Sequence, residues 1–437
     1  MSLGGDPRHL AAAVFSDDGP WLPSRFEVGA LAGGTVAAAT LAAAELWARR
    51  RNESTRGVRI ERRLVEAAFI SERLFRSVGW KSPDLRDSLT ADYKAADGWI
   101  RLHMNYSYHR DAAARVLDCA PQREALAAAV AGRTAEALET AIVDAGGCAA
   151  QSRTIEAWAS HPQGSAIAKE PLVAREGKCQ PRLDVANADA PLAGVRILDM
   201  TRVIAGPFGT RFLAAMGGDV LRIDPPGFEE VGAILPEATR GKRRAFVDLR
   251  SPEGRATWEA LLREADVLVH GYRGGALSGL GYDESRMRSI NPRLVEVRHD
   301  AYGWTGPWRH RRGFDSLVQM SSGIAHPGHD GKPTPLPAQA LDHATGYLIA
   351  AAVCRALTEG TSSSRLSLAR TARLLVELGV NGDAGAPGIG NADDLLEPSR
   401  TAWGDSLQVR SPGAIEGYTP RWRHEPGPLG LHPPRWE

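Results

Sequence analysis

Residues Pro191–Gly227 read PLAGVRILDMTRVIAGPFGTRFLAAMGGDVLRIDPPG, and this stretch decides the fold. An apolar run, Val195–Met200, leads into a turn marked by glycine and proline, and a helical stretch follows. A second apolar run, Asp219–Ile223, closes on the acid Asp224. This order predicts a strand, a helix and a second, parallel strand. The first turn of such a unit presents the amides at a helix start to a ligand.

The chain downstream repeats the alternation of strands and helices. We predict strands at Ala245–Leu249, Val267–His270 and Leu294–Arg298, with a helix at Glu253–Glu264 between the first two. A long helix is predicted at Ala344–Leu357. Alternation at this spacing indicates an α/β fold built on a Rossmann-like, doubly wound parallel sheet.

The composition is that of an ordinary soluble globular protein. The chain is 43% hydrophobic and 24% charged, and its net charge of +1 predicts no attraction to nucleic acid or to a membrane. Four scattered cysteines and the lack of a signal-peptide pattern indicate a cytoplasmic setting. The sequence has no HxxxH, HExxH or GxxxxGK[ST] motif, so we predict no metal site and no nucleotide hydrolysis.

Two segments of the chain repeat one another. Gly29–Phe69 parallels Leu341–Leu375, because each holds an alanine-rich helix, a short loop, a basic and apolar strand, and a second helix. When the two helices are aligned on their glycines, Ala30 stands where the second copy has Asp342. The acid is therefore present only once in the repeat.

Several phrases between Pro191 and Gly360 form a specific combination: PLAGVRILDMTRVIAGP, GDVLRIDPPG, GKRRAFVDLRSPEGR, ADVLVHGYRGGAL, INPRL, YGWTGPWRHRRGFDSLVQ and LDHATGYLIAAAV. Together they resemble the family III CoA transferases, which include formyl-CoA transferase, carnitine CoA-transferase and α-methylacyl-CoA racemase. Residues 90–175 resemble the small α+β domain of the same family, through phrases such as DGWIRLHMN.

The resemblance implies an unusual order of parts. In the family the Rossmann-like part comes first, whereas here the small-domain part precedes it. The predicted parts are a duplicated connector helix and strand packing on the large domain (1–79), the small domain and return segment (80–175), a linker (176–190), the Rossmann-like CoA-binding catalytic domain (191–378) and a Pro/Gly-rich C-terminal segment (379–437). The family also implies a homodimer of interlocked chains.

Asp342 is the candidate catalytic residue. CoA transfer through a covalent intermediate needs an accessible carboxylate with amide donors nearby, and Asp342 precedes the predicted helix at Ala344, whose dipole favours an acid there. An ordinary helix cap is the plain alternative, since Asp is common at that position. By resemblance, Asp342 forms an anhydride and then an aspartyl-CoA thioester.

The resemblance further places coenzyme A, as a thioester substrate and not as a tightly bound cofactor, on the opening strand–helix–strand unit. Pantetheine and acyl contacts are implied at the first turn, and phosphate contacts at two basic positions. For those basic residues a solvated surface is the alternative interpretation. The implied residues are Val203, Ile204, Ala205, Arg222, Lys242, Tyr272 and Arg273.

The sequence thus predicts an enzyme that moves CoA between an acyl-CoA thioester and a carboxylic acid. One alternative is an acyl-CoA racemase or isomerase on the same fold. It is weakened because Phe314 stands where the racemases carry a histidine, and phenylalanine cannot relay a proton. His343 is the nearest substitute in the sequence. Another alternative is a weakly active CoA-binding subunit of a hetero-oligomer, because the glycine-rich flap of formyl-CoA transferase is not visible.

Overall fold

The computed structural model describes residues 3–16, 19, 21–85, 87–183, 188–326 and 331–437. The strands in this part of the chain are β1 (Ala13–Phe15), β2 (Val58–Ile60), β3 (Arg76–Val78), β4 (Ala91–Lys94), β5 (Trp99–Leu102), β6 (Ala149–Gln151), β7 (Ala174–Lys178), β8 (Arg196–Met200), β9 (Asp219–Asp224), β10 (Arg243–Phe246), β11 (Val267–His270), β12 (Val295–Asp300), β13 (Thr361–Ser367), β14 (Leu396–Thr401), β15 (Gly404–Val409) and β16 (Ala414–Ile415).

The helices of the same residues are α1 (Val28–Arg51), α2 (Arg62–Ala68), α3 (Ser71–Leu74), α4 (Ser107–Leu117), α5 (Arg123–Ala131), α6 (Ala135–Asp144), α7 (Ile155–Ser160), α8 (Pro162–Ile167), α9 (Ala205–Ala215), α10 (Leu235–Ala238), α11 (Pro252–Glu264), α12 (Ala276–Gly279), α13 (Glu284–Ile290), α14 (Asp315–Ser321), α15 (Ala340–Glu359) and α16 (Leu368–Leu378).

A seven-stranded sheet carries the large domain. Its order is β10-β9-β8-β11-β12-β13-β7, and every neighbouring pair is parallel except the last. The chain leaves β8 through α9 and returns to β9, as the opening stretch predicts. The predicted α/β class with a parallel-rich sheet is confirmed.

Helix α15 is the centre of the large domain. It contacts α1, α9, α14 and α16 as well as strands β12 and β13. Its first eighteen residues are all buried, which matches its apolar sequence. The N-terminal end of this helix therefore has a fixed position relative to the sheet.

Helix α1 is the one helix of the described residues that is long and apolar enough to cross a bilayer. Its most apolar window is 78% buried inside the protein, and the helix packs along α15. This is the burial expected of a core helix.

The small domain has a core of its own. Strands β4, β5 and β6 form an antiparallel sheet, and α4, α5 and α6 follow or connect them. The three helices of this domain are separated by short breaks in the chain after Leu117 and Ala131. Large buried side chains of this core are Tyr93, Ile100, Leu126, Leu138 and Ile142.

Two segments predicted to be irregular are ordered by pairing with distant strands. The segment 176–190 is predicted as a linker, yet β7 extends into it to Lys178 and forms the antiparallel edge of the large sheet. Residues 184–187 of that linker lie outside the described residues. The C-terminal segment holds the hairpin β14–β15, which pairs with β3. Sequence periodicity does not detect such strands, because each is stabilised by partners far away in the chain.

The repeated segments adopt the same arrangement. In one copy β2 lies between parallel β1 and antiparallel β16, and in the other β13 lies between parallel β12 and antiparallel β7. The helices α1 and α15 of the two copies pack against each other. Among the described residues, the sheet of the first copy ends at β1 on one side and has no strands that correspond to β8–β11.

The repeat supplies a matched pair of glycines for a stability test. A Cβ atom on Gly346 would lie 2.5 Å from the carbonyl oxygen of Ala205, where α9 and α15 touch. A Cβ atom on the aligned Gly34 would meet nothing within 4 Å. We expect Gly346→Ala to lower the free energy of unfolding by about 1–3 kcal/mol through overpacking. Gly34→Ala should raise it by up to about 1 kcal/mol, because alanine is the better helix former.

Urea unfolding, followed by circular dichroism, measures both effects. Equal stabilities of the two alanine variants would contradict the close approach of α9 and α15.

Candidate active site

A pocket of about 410 Å³ lies at the carboxyl ends of β8, β11 and β12. Met200 and Asp300 end two of these strands, Gly271 follows the third, and all three line the pocket. Asp342, from the first turn of α15, lines it as well. Ligands of open α/β sheets bind at this edge. The pocket is therefore the candidate active site.

The loop between β8 and α9 forms one wall. Val203 has a φ of 63°, which is unfavourable for a β-branched residue and marks a backbone held by its surroundings. Arg202, Val203 and Ala205 all line the pocket. No side chain of the described residues caps α9, so its first amides are left for water or a ligand.

Asp342 lies within α15 and not before it. The helix begins at Ala340, four residues earlier than the sequence predicts, so Asp342 occupies the first turn. The reason is Asp315, whose carboxylate accepts the backbone N–H groups of Leu341 and Asp342 at 2.8 and 2.9 Å. A side chain distant in sequence thus caps this helix. The Asp342 carboxylate itself has no hydrogen bond or ion pair within the described part of the chain, and the residue is 7% exposed.

The environment of Asp342 favours its protonated form. Burial raises the pKa of Asp342 well above its ordinary value, and the charges of Asp315 and Glu72 raise it further. Burial also raises the pKa of Asp315 to about 6, although its two backbone hydrogen bonds oppose the shift. Glu72 is paired with His343 at 3.2 Å. His343 therefore does not face the pocket, which excludes it as the substitute acid or base in this conformation.

Four of the predicted CoA contacts lie together in the pocket. Val203, Ala205, Tyr272 and Arg273 line it beside Asp342. Ile204 does not; it is buried in an apolar cluster behind the loop with Phe208, Ile234 and Ala238.

Arg222 and Lys242 are placed elsewhere. Both side chains are fully buried. Arg222 pairs with Asp224 and Glu230, each at 2.8 Å. Lys242 donates to Asp199 at 2.8 Å, and burial lowers its pKa to about 8. Their charges are used inside the protein, so neither can reach a CoA phosphate in this structure; this corrects the contact implied by the resemblance.

Sequence reasoning missed several residues that line the pocket. Tyr106, Tyr108 and His109 come from the small domain, and nothing local in the sequence connects them to Asp342. A detectable signal existed for Arg202, which lies directly before Val203 at the first turn of the opening unit. The other missed lining residues include Phe228, His299, Asp300, Arg311 and Arg312.

The ionisable groups leave the pocket positively charged. Burial raises the pKa of Asp300 to about 8, so its carboxyl group is largely neutral at pH 7. Burial lowers the pKa values of His109 and His299 to about 4, so both imidazoles are neutral. The arginines keep their charge at this pH.

The sequence is similar to known CoA transferases over part of its length. Residues 192–367 match CoA-transferase family III. The chain is 33% identical to a probable fatty acyl-CoA transferase of Mycobacterium tuberculosis, over 40% of this chain and 48% of the relative. It is 32% identical to a succinate–glutarate CoA-transferase of Agrobacterium fabrum, over 41% of this chain and 50% of the relative. An acetyl-CoA:oxalate CoA-transferase of Acetobacter aceti is also 32% identical, over 37% of this chain and 45% of the relative.

A crystal structure of the Mycobacterium tuberculosis protein Rv3272 aligns with a TM-score of 0.49 at 21% identity, covering 56% of this chain and 98% of that one. The chain spans about half the length of the curated relatives it matches. Residues 192–367 of this chain are thus similar to CoA-transferase family III.

Proposed function

We propose that the protein is a CoA transferase that moves CoA from an acyl-CoA thioester to a carboxylic acid, with Asp342 as the nucleophile. The observation that carries this proposal is the Asp342 carboxylate, which lines a pocket at the ligand-binding edge of the sheet without an ion-pair partner among the described residues. We further propose that the enzyme is a cytoplasmic homodimer of interlocked chains, as the family resemblance implies.

The chemistry proceeds through two covalent intermediates. An oxygen of Asp342 attacks the thioester carbonyl, the C–S bond breaks, and CoA leaves as the thiolate, which gives a mixed anhydride. The thiolate then attacks the aspartyl carbonyl and releases the donor acid, so that CoA is bound to Asp342 as a thioester. The acceptor carboxylate reverses both steps. We assign the stabilisation of the oxyanions to the amides at the start of α9, which no side chain of the described residues caps.

The acyl-pantetheine arm has an available path. Val203 and Ala205 provide the loop wall, and Tyr272 and Arg273 stand after the end of β11. Arg273 is exposed, and its NH1 is 3.5 Å from the His310 carbonyl oxygen, so its charge is open to a phosphate at the pocket rim.

Covalent trapping tests the nucleophile. Incubation with an acyl-CoA and a rapid quench should yield a peptide that carries CoA on Asp342, identified by its mass. Hydroxylamine should convert this adduct to the hydroxamate. Asp342→Asn should yield no adduct and no transfer, whereas Asp315→Asn, which keeps an oxygen to cap α15, should still be modified at Asp342. An adduct on another residue, or full transfer by the Asp342 variant, would contradict the proposal.

The pH dependence of transfer reports the charge environment of Asp342. Asp342 must be ionised to attack, and its pKa is raised, so the rate should rise with pH through that pKa and fall as the solution is acidified. Asp315→Asn removes one of the charges that raise the pKa, so the midpoint of the profile should move to lower pH.

Asp300→Asn is the matched control, because Asp300 lines the same pocket but is not among the charges that raise the pKa of Asp342. Its profile should keep the wild-type midpoint. A midpoint shift to higher pH in Asp315→Asn would show that the two carboxylates do not repel each other.

A second candidate function is isomerisation at the α-carbon of the acyl group, and His109 favours it. The imidazole lies edge-on to Phe314 with a centroid distance of 5.8 Å, close to the position at which the racemases carry histidine. It is neutral at pH 7, and its Nδ1 atom has no partner among the described residues. A neutral imidazole can take the α-proton, while the bonding electrons move to the thioester carbonyl. A protonated Asp342 can return a proton from another side.

Deuterium exchange tests this candidate. In deuterated water the wild-type protein should incorporate deuterium at the α-carbon of an acyl-CoA, and His109→Gln should lose the exchange while the Asp342 adduct still forms. Tyr108→Phe, a change one residue away on α4, should keep it. Absence of exchange in the wild-type protein, or its persistence in His109→Gln, rules out isomerisation through His109.

A further inference from the structure

Arg202 is a cation in the candidate active-site pocket that stacks on an aromatic ring and has no carboxylate partner among the described residues. Its guanidinium carbon lies 3.3 Å from the ring centroid of Phe228 and 5.8 Å from that of Tyr272. The side chain is half-buried and lines the pocket together with both aromatic residues. Stacking on the Phe228 ring fixes the plane of the guanidinium, and one of its N–H groups interacts with the Tyr272 hydroxyl, so the other N–H donors remain for a ligand.

The neighbouring acids do not neutralise this charge. Glu229 and Glu230 directly follow Phe228, but each is used by other donors. Glu229 accepts the hydroxyl and the backbone N–H of Ser107. Glu230 accepts the Tyr106 hydroxyl at 3.0 Å and pairs with a buried arginine. No carboxylate of the described residues forms an ion pair with Arg202.

Other arginines in the pocket have different positions. Arg311 is paired with Glu139 at 2.9 Å. Arg312 donates to the carbonyl oxygen of Gly146 at 2.8 Å, and Arg273 is exposed at the rim. Arg202 is thus a guanidinium of this wall that has no carboxylate partner among the described residues, stacks on Phe228 and is hydrogen-bonded to the Tyr272 hydroxyl. A clamped cation of this kind is prepared for an anion that arrives with the substrate.

We propose that Arg202 is a subsite for a second carboxylate, so that the acids exchanged by this protein are dicarboxylic. The proposal rests on the CoA-transfer function proposed above. One carboxyl group of the acid reacts at Asp342, and the other is bound by the N–H fork of Arg202. A guanidinium binds a carboxylate through two parallel hydrogen bonds, which gives both affinity and orientation.

The aromatic clamp explains why such a subsite would discriminate strongly. Since Phe228 already orders the side chain, little rotamer entropy is lost when the anion binds. A monocarboxylic acid of the same length would leave this cation without its partner in a partly desolvated site. A site built for a charged partner rejects the analogue that lacks it more strongly than an apolar site rejects a small change of size.

Acceptor specificity tests the subsite. We compare succinate with butyrate, which has the same chain length and one carboxylate fewer, in the wild-type protein and in Arg202→Gln. The variant should lose about 10- to 100-fold in kcat/KM for succinate, as expected for a hydrogen bond to a charged group, and less than about threefold for butyrate. The kcat/KM of Arg202→Lys for succinate should lie between those of the wild-type protein and Arg202→Gln, because lysine keeps the charge but lacks the planar fork of N–H donors. Arg309→Gln, an exposed arginine in a loop outside the pocket lining, is the matched control and should behave as wild type.

Two outcomes would contradict the subsite. Equal losses for both acids would overturn the subsite. A rise confined to the KM of the acyl-CoA donor would overturn it in favour of a CoA phosphate contact.

Calorimetric titration with succinate and with butyrate, in the presence of CoA, gives a readout that does not need turnover. Succinate should bind the wild-type protein at least tenfold more tightly than butyrate, and Arg202→Gln should remove the difference. If succinate binds in this way but no adduct forms on Asp342, the transfer function fails while the subsite stands. If adducts form and the two acids bind equally, the subsite fails alone.

Discussion

The carboxylate of Asp315 determines the position and the chemistry of the active site. It accepts two N–H groups at the start of α15, where no residue next to the helix supplies a cap. Burial is the main cause of the raised pKa of Asp342, and the Asp315 carboxylate raises it further, so the group that anchors the helix also influences the charge of the proposed nucleophile. Gln319 donates to the other oxygen of Asp315, which holds the cap in place. A helix end buried without such a partner would be strongly unfavourable.

Buried ion pairs hold the large domain together, and one of them also bonds to the small domain. Arg222 on β9 bonds to Glu230, and the other oxygen of Glu230 accepts the Tyr106 hydroxyl from the small domain. The Lys242–Asp199 pair, joined by Thr210, holds β8 against the start of α9. Breaking such a pair leaves a buried charge uncompensated, which is why these cations are structural here and unavailable to a ligand.

The repeat shows how one chain supplies both sides of its pocket. The small-domain residues Tyr106 and His109 precede the sheet in the chain, yet they face Asp342 within the same polypeptide. The first copy of the repeat has no acid at Ala30, the position aligned with Asp342, whereas Glu72, three residues after that copy ends, provides charge beside Asp342. The rearranged order of segments is therefore compatible with one complete pocket.

The sequence by itself determined the sheet unit and the repeat, and it singled out Asp342 as the candidate nucleophile. The strand at Val267–His270 and the first turn at Val203 and Ala205 follow from local patterns, since alternating apolar runs and glycine-marked turns depend on near neighbours. Only the tertiary structure decided which charges are free. Arg222, Lys242 and Arg202 are alike in sequence as basic residues near strands, but the first two face buried carboxylates and the third faces an aromatic ring and the pocket. The start of α15, the edge strand β7 and the wall from α4 likewise depend on partners more than 25 residues away in the chain, and a local pattern carries no record of contacts made at that distance.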